Sequence, residues 1–164
     1  MASIMNALAW VSVMVLLGFF FNDMLGKQHN PNQALTTQYS QEKVREVSLK
    51  RNKNGHYITS GKLNGQPVVF MLDTGATGVA IPARIAARLK IRRGSPFKVH
   101  TANGTTTSYA TRLDSVSVGE IELKDVNAGI VPGLGGSEVL LGMSFLRHIE
   151  FTQRGDTLVL RQYL

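Results

Sequence analysis

Val68-Val-Phe-Met-Leu-Asp73-Thr-Gly-Ala-Thr-Gly-Val-Ala-Ile-Pro82 is the stretch on which the reading of this chain turns. Five apolar residues, Val68 to Leu72, stop abruptly at Asp73-Thr74-Gly75. The pattern predicts a buried strand that delivers a carboxylate to its mouth, with a glycine letting the chain turn sharply behind it. Asp-Thr-Gly by itself is ordinary turn chemistry. An Asp followed by a small hydroxyl residue and a glycine, after a wholly apolar strand, is more specific. Thr74 offers a hydroxyl that can lock the loop by hydrogen bonding, and Gly75 leaves a backbone N–H free to approach the carboxylate.

A second apolar strand runs into a glycine about seventy residues later: Glu138-Val-Leu-Leu-Gly142-Met-Ser-Phe-Leu146. A glycine at the end of such a strand permits close backbone contact. The two motifs together, and the segment Ile81-Pro82-Ala83-Arg84-Ile85-Ala86-Ala87-Arg88-Leu89 after the first, resemble the retropepsin-like aspartic peptidases in their bacterial, membrane-anchored form. The resemblance covers about residues 54–164 in order and spacing. It implies an all-β, retropepsin-like closed barrel with one short helix. It also implies Asp73, Thr74 and Gly75 as the catalytic loop, with Ala76 beside it on the substrate side. By the same analogy the hairpin tip Thr101, Ala102, Asn103, Gly104 and Thr105 is a flap that closes over an extended peptide. Here Met143-Ser144 follows Gly142, where retroviral enzymes continue with Arg and Asn or Asp. The flap is also poorer in glycine than theirs and lacks their isoleucines.

Peptide hydrolysis by that family uses two carboxylates sharing one proton, because two such groups a few Å apart cannot both ionise readily. The chain offers only one such loop. Among Asp114, Glu120, Glu122, Asp125, Glu138, Glu150 and Asp156, none is followed by Thr/Ser-Gly, and there is no internal repeat. A peptidase reading therefore demands a homodimer with two copies of Asp73 on a two-fold axis.

The 164 residues suffice for one domain and an appendage. No cysteine is present, which excludes disulfides, thiolate metal sites and a cysteine nucleophile. His29, His56, His100 and His148 lack metal-ligand spacing and read as surface or structural residues, so no metal or cofactor is expected. Gly-x-Ser-x-Gly is absent, and Gly133-Leu134-Gly135-Gly136-Ser137 reads as a loop rather than a phosphate cradle. The net charge of +7 leaves nucleic acid or anionic lipid open as partners. Exposed aromatics do not interleave with the basic residues, so nucleic acid is not expected, and the basic face with Arg84, Arg88, Arg92 and Arg93 reads as solvated.

Residues 1–22 carry no charge before Asp23 and are long enough to span a bilayer as a helix. No basic residue precedes the apolar run and no small-x-small site follows it, which favours an uncleaved anchor over a signal peptide. Lys27 favours a cytoplasmic C-terminal side, whereas the family resemblance implies a single-pass protein of the bacterial inner membrane with its domain in the periplasm. Residues 23–53 are polar and read as a flexible linker, with a weak entry strand within 42–53. From residue 54 the punctuation is that of β-structure. Asn64-Gly65 and Asn103-Gly104 mark hairpins, the second between strands at 97–101 and 106–111, and short strands are expected at 113–118, 121–123 and 126–131. Arg154-Gly155-Asp156 turns a final pair, and Pro82–Lys90 reads as the one helix. A catalytically silent module of the same fold, binding peptides at the membrane, is the alternative reading.

Overall fold

A computed structural model describes residues 2–40, 43–101 and 104–164, with the side chains of 2, 3, 40 and 101 left out. Strands dominate, as the punctuation predicts. β1 is Thr37–Ser40, β2 Val44–Lys50, β3 Ile58–Leu63, β4 Gln66–Leu72, β5 Val79–Pro82 and β6 Pro96–Thr101. β7 is Gly104–Val118, β8 Ile121–Val131, β9 Val139–Leu141, β10 Glu150–Arg154 and β11 Thr157–Tyr163. Three helices accompany them: α1 Ala2–His29, α2 Ala83–Arg88 and the single turn α3 Met143–Leu146.

The main sheet runs β3-β4-β9-β5-β8-β7-β6, and it closes on itself because the end of β7 also pairs with β3 through Lys62↔Ser117 and Leu63↔Val116. Phe70, Leu63, Leu113, Ile130, Leu141 and Phe145 are fully buried inside it. Burying each of these side chains stabilises the fold by about 1.5–3 kcal/mol relative to exposure. β9 lies between β4 and β5, parallel to β4 with Leu72 opposite Leu141 and antiparallel to β5 through Ala80↔Leu140. That insertion brings the ends of both motif strands together.

The expected strands at 106–111 and 113–118 fuse into one 15-residue β7, and those at 121–123 and 126–131 into β8. The sequence reads as broken at Asp125, which takes a positive φ of 61° yet stays in the strand. Arg112 forks onto its carboxylate, and this hydrogen bond is the main cause that holds Asp125 below the ordinary aspartate value.

The flexible linker expected over 23–53 is corrected by the structure. α1 continues to His29, and β1, β2 and the buried Asn30, Asn32 and Asn52 belong to the fold. β2 joins a second sheet, β1-β2-β11-β10, with Val44, Val47 and Leu49 buried. Polar composition misleads here because the asparagines bond to backbone. Asn32 is 4% exposed. Its amide donates to the carbonyls of Ile58 (2.7 Å) and Lys50 (2.9 Å) and accepts the Lys50 N–H (2.7 Å). Asn52 Nδ2 donates to the His29 carbonyl at 3.0 Å, and Asn30 Nδ2 to Ser60 Oγ at 3.2 Å. Buried amides so paired cost little, whereas unpaired ones would destabilise.

His29, expected to be merely solvated, is half-exposed and pairs through Nε2 with Glu138 Oε1 at 2.7 Å. Burial alone would push the Glu138 carboxyl up. Hydrogen bonds from His29 and from the Ser137 hydroxyl and N–H outweigh it and hold the group below the ordinary glutamate value. A depressed carboxylate adds stability above its unfolded value, and that contribution is lost as pH falls through its folded value. The stability difference between the wild type and Glu138→Gln is therefore expected to be full at neutral pH and to close between about pH 5 and pH 3. Urea midpoints of the full chain in detergent across that range check this. A difference that stays constant with pH would contradict it.

Candidate active site

Asp73 sits one residue beyond β4, half-buried, with its N–H donating to the Leu141 carbonyl of β9 at 3.2 Å. The carboxylate is held from its own loop, since the Gly75 N–H donates to Asp73 Oδ1 at 2.9 Å. The Ala76 N–H donates to the Asp73 carbonyl at 3.2 Å. The chain turns at residues 73–76 as expected, yet Gly75 does not adopt a left-handed backbone there. It needs space: a Cβ there would lie 3.2 Å from Asp73 Oδ1.

The 73–78 loop then crosses the C-terminal end of β9. Met143 N–H donates to the Ala76 carbonyl at 2.9 Å, so Ala76 is engaged as scaffold through its backbone. Gly142 is extended, at φ −95° and ψ −166°, and lies directly beneath the loop. A Cβ added to it would meet the carbonyl oxygens of Gly78 at 2.3 Å and Ala76 at 2.5 Å. Ser144, in the turn of α3, completes the seating. Its Oγ accepts the Val79 N–H at 3.0 Å and donates to the Asn127 carbonyl of β8 at 2.9 Å. One hydroxyl thus ties the outgoing end of the loop to a third strand. Sequence reasoning quoted Ser144 in its motif without a role. A serine in the first turn of a helix ordinarily serves that helix, and here it serves the loop instead.

Thr74 is exposed, and its hydroxyl has no hydrogen-bond partner among the described residues. The structure therefore brings Asp73, Gly75 and Ala76 together with Leu141, Gly142, Met143 and Ser144. It holds the proposed flap residues on a separate element. Thr101 and Gly104 close the β6–β7 hairpin opposite one another, with Gly104 at φ 105°. Thr105 Oγ1 lies 3.0 Å from His100 Nδ1. Ala102 and Asn103 lie outside the described residues. Among the described residues, no hydrogen bond joins this hairpin to the 73–78 loop. The 132–138 loop passes beside the hairpin, since a Cβ on Gly133 would sit 3.7 Å from Thr106 Oγ1.

Comparison with known proteins agrees with this geometry. The family model described as "gag-polyprotein putative aspartyl protease" matches residues 59–148, which include both motif loops and the hairpin. An uncharacterized protein of a Sinorhizobium species is 32% identical over 120 residues, covering 71% of this chain and 52% of its own length. The chain thus spans about half the length of that relative. An uncharacterized protein of Rickettsia prowazekii is 29% identical over 161 residues, covering 93% of this chain and 68% of its own. Among solved structures, a retropepsin-like aspartic protease from Rickettsia conorii superposes with a TM-score of 0.61 at 28% identity, over 79% of this chain and 96% of that one. With an Asp-Thr-Gly loop seated on the glycine of a second apolar strand inside a closed retropepsin-like barrel, the chain belongs to the gag-polyprotein aspartyl protease family.

Proposed function

We propose that the protein is a membrane-anchored aspartic endopeptidase that works as a homodimer. The observation that carries this reading is the Asp73 carboxylate, presented at the end of β4 and held by the Gly75 N–H at 2.9 Å on a loop braced by Gly142 and Ser144. Two such carboxylates, one from each chain, share a proton. The ionised one takes a proton from a bound water as that water attacks the peptide carbonyl carbon. The protonated one gives its proton to the carbonyl oxygen. The carboxyl that now holds the proton gives it to the nitrogen, the other carboxylate takes a proton from a diol hydroxyl, and the C–N bond breaks to leave acid and amine with one proton again shared. The exposed Thr74 hydroxyls sit where the two loops would meet. The hairpin tip 101–105 closes over an extended peptide and excludes water.

β11 offers no free edge to a partner strand, because β2 occupies one of its edges and β10 the other. The open edges of its sheet, among the described residues, are those of β1 and β10. Residues 1–22 anchor the chain in the bacterial inner membrane with the domain on the periplasmic side. α1 is long and apolar enough to cross a bilayer, and none of its span is buried against the domain. Its last turn is built into the domain through His29, which favours an anchor that is kept. Two chains confined to one plane meet at raised effective concentration.

The test is the order of the reaction. Cleavage of an unstructured protein between about pH 3 and 7 is expected to rise more than linearly with full-length enzyme in dilute detergent, and to become linear once dimers saturate. A strictly linear dependence throughout removes the dimer. No cleavage even from covalently paired chains leaves a silent peptide-binding module.

A further inference from the structure

The exposed cations of this chain fall into two groups. Four cations outside residues 84–98 are ion-paired: Lys27 with Asp23, Arg51 with Asp156, Arg112 with Asp125, and Arg161 with Glu46 and Glu150. Residues 84–98 differ. They hold Arg84, Arg88, Lys90, Arg92, Arg93 and Lys98 and no carboxylate. All six are exposed, and none takes part in an ion pair among the described residues. They account for six of the seven net positive charges, which leaves the rest of the chain nearly balanced. Six cations with no carboxylate among them make a strongly positive patch that attracts an external anion.

The fold sets this cluster beside the end of α1. His29, the last residue of α1, bonds Glu138. Glu138 accepts from the Ser137 N–H at 2.9 Å and from its hydroxyl at 2.8 Å. The carbonyl of the adjoining Gly136 accepts from the Arg84 guanidinium in the first turn of α2. On another side of the same helix end, Lys53 Nζ donates to Gln28 Oε1 at 3.1 Å. Arg84 and Arg88, four residues apart, share a face of α2 and sit within a few residues' reach of the point where the apolar helix stops.

We propose that the rim of the domain around the end of α1, which bears Lys53, Arg84 and Arg88, docks on anionic phospholipid headgroups of the bilayer that α1 enters, with the remaining cations of 84–98 extending the contact. The proposal rests on the membrane-spanning reading of α1. A rigid junction makes the docking specific: the asparagine bonds fix the domain on the helix, so this one rim meets the headgroups. Each basic residue held near an anionic surface is worth about 1 kcal/mol, roughly fivefold in population.

The chain lacks cysteine, so Ala87→Cys, exposed between the two arginines, gives a single fluorophore site on the full protein. The labelled chain is reconstituted into phosphatidylcholine vesicles with and without about 30% phosphatidylglycerol, both carrying a trace of headgroup-nitroxide lipid. Quenching is expected to be at least about twofold stronger in the anionic vesicles and to fall to the neutral level in about 0.5 M salt. It is also expected to fall in the Lys53→Gln, Arg84→Gln, Arg88→Gln triple variant. Equal quenching in both vesicles, or quenching that survives the triple substitution, overturns the proposal. So does RNA binding through the same residues in the absence of a lipid effect. Alkaline carbonate separates the two readings. A chain that washes off the vesicles fails the spanning reading and takes the docking with it. A chain that stays while its quenching ignores lipid charge fails the docking alone.

Discussion

Asp73→Asn is expected to lower the rate of peptide cleavage by at least about 10³–10⁴-fold while leaving the fold intact. The two halves of that expectation come from one bond. Asp73 Oδ1 accepts the Gly75 N–H at 2.9 Å, and an asparagine carbonyl in the same place accepts it equally well. The loop contacts behind it are unaffected, because they run through backbone: Asp73 N–H to Leu141, Ala76 N–H to Asp73 and Met143 N–H to Ala76. Stability in urea should therefore change by less than about 0.5 kcal/mol. What asparagine cannot do is exchange a proton with water. A dimer containing one carboxylate has no partner with which to share the proton, so the defect should also be dominant. When equal amounts of wild-type and Asp73→Asn chains exchange freely, only about a quarter of dimers keep both carboxylates, and activity falls to roughly half of what unmixed dimers would give. Gel-based cleavage of an unstructured protein, measured before and after mixing, reads both numbers. Undiminished activity in the mutant would end the peptidase reading at this residue.

The halves of this site were unequally legible in the sequence. Val68–Leu72 and Val139–Leu141 announce themselves because neither run has a polar position, and each ends on a residue with a distinct chemical reason to be there. The Asn64-Gly65 hairpin is equally local and is found as expected, with Asn64 at φ 48° and Gly65 at φ 76°. Ser144 and the asparagines of the amino-terminal segment were not legible in this way. The worth of Ser144 depends on Val79 and Asn127, which only the closed barrel brings to its hydroxyl. Asn32 depends on Lys50 and Ile58 in the same manner. A polar side chain read alone looks solvated. Its burial is paid for by partners that lie far off in sequence, so composition assigns this segment to a tether while the structure builds β1 and β2 into the second sheet. The opposite error shaped β7 and β8, where exposed charged residues at 112, 124 and 125 read as breaks in strands that run straight through them.

The second large effect lies at Gly142, and it distinguishes packing from backbone freedom. Gly142 has an extended φ of −95°, which any residue adopts, so its identity is not required by conformation. It is required by distance. The Cβ of an alanine would stand 2.3 Å from the Gly78 carbonyl oxygen, 2.5 Å from that of Ala76 and 2.9 Å from the Gly78 carbonyl carbon. All three obstacles are backbone atoms of the loop that carries Asp73, so no rotamer change relieves them. The loop must lift off β9, and it is pinned there by the Met143–Ala76 and Ser144–Val79 bonds. Gly142→Ala should accordingly destabilise the protein by at least about 2–3 kcal/mol and displace Asp73, with loss of cleavage. Gly78→Ala, on the other side of the same contact, is the control. Its Cβ would meet only Ser144 Oγ at 3.7 Å, an ordinary van der Waals distance, and its backbone is not left-handed. That variant should lie within about 1 kcal/mol of the wild type. Urea midpoints for the pair measure the difference. Near-equal stability would mean that the loop rides higher over β9 than these distances require, and that the seating of Asp73 tolerates a methyl group beneath it.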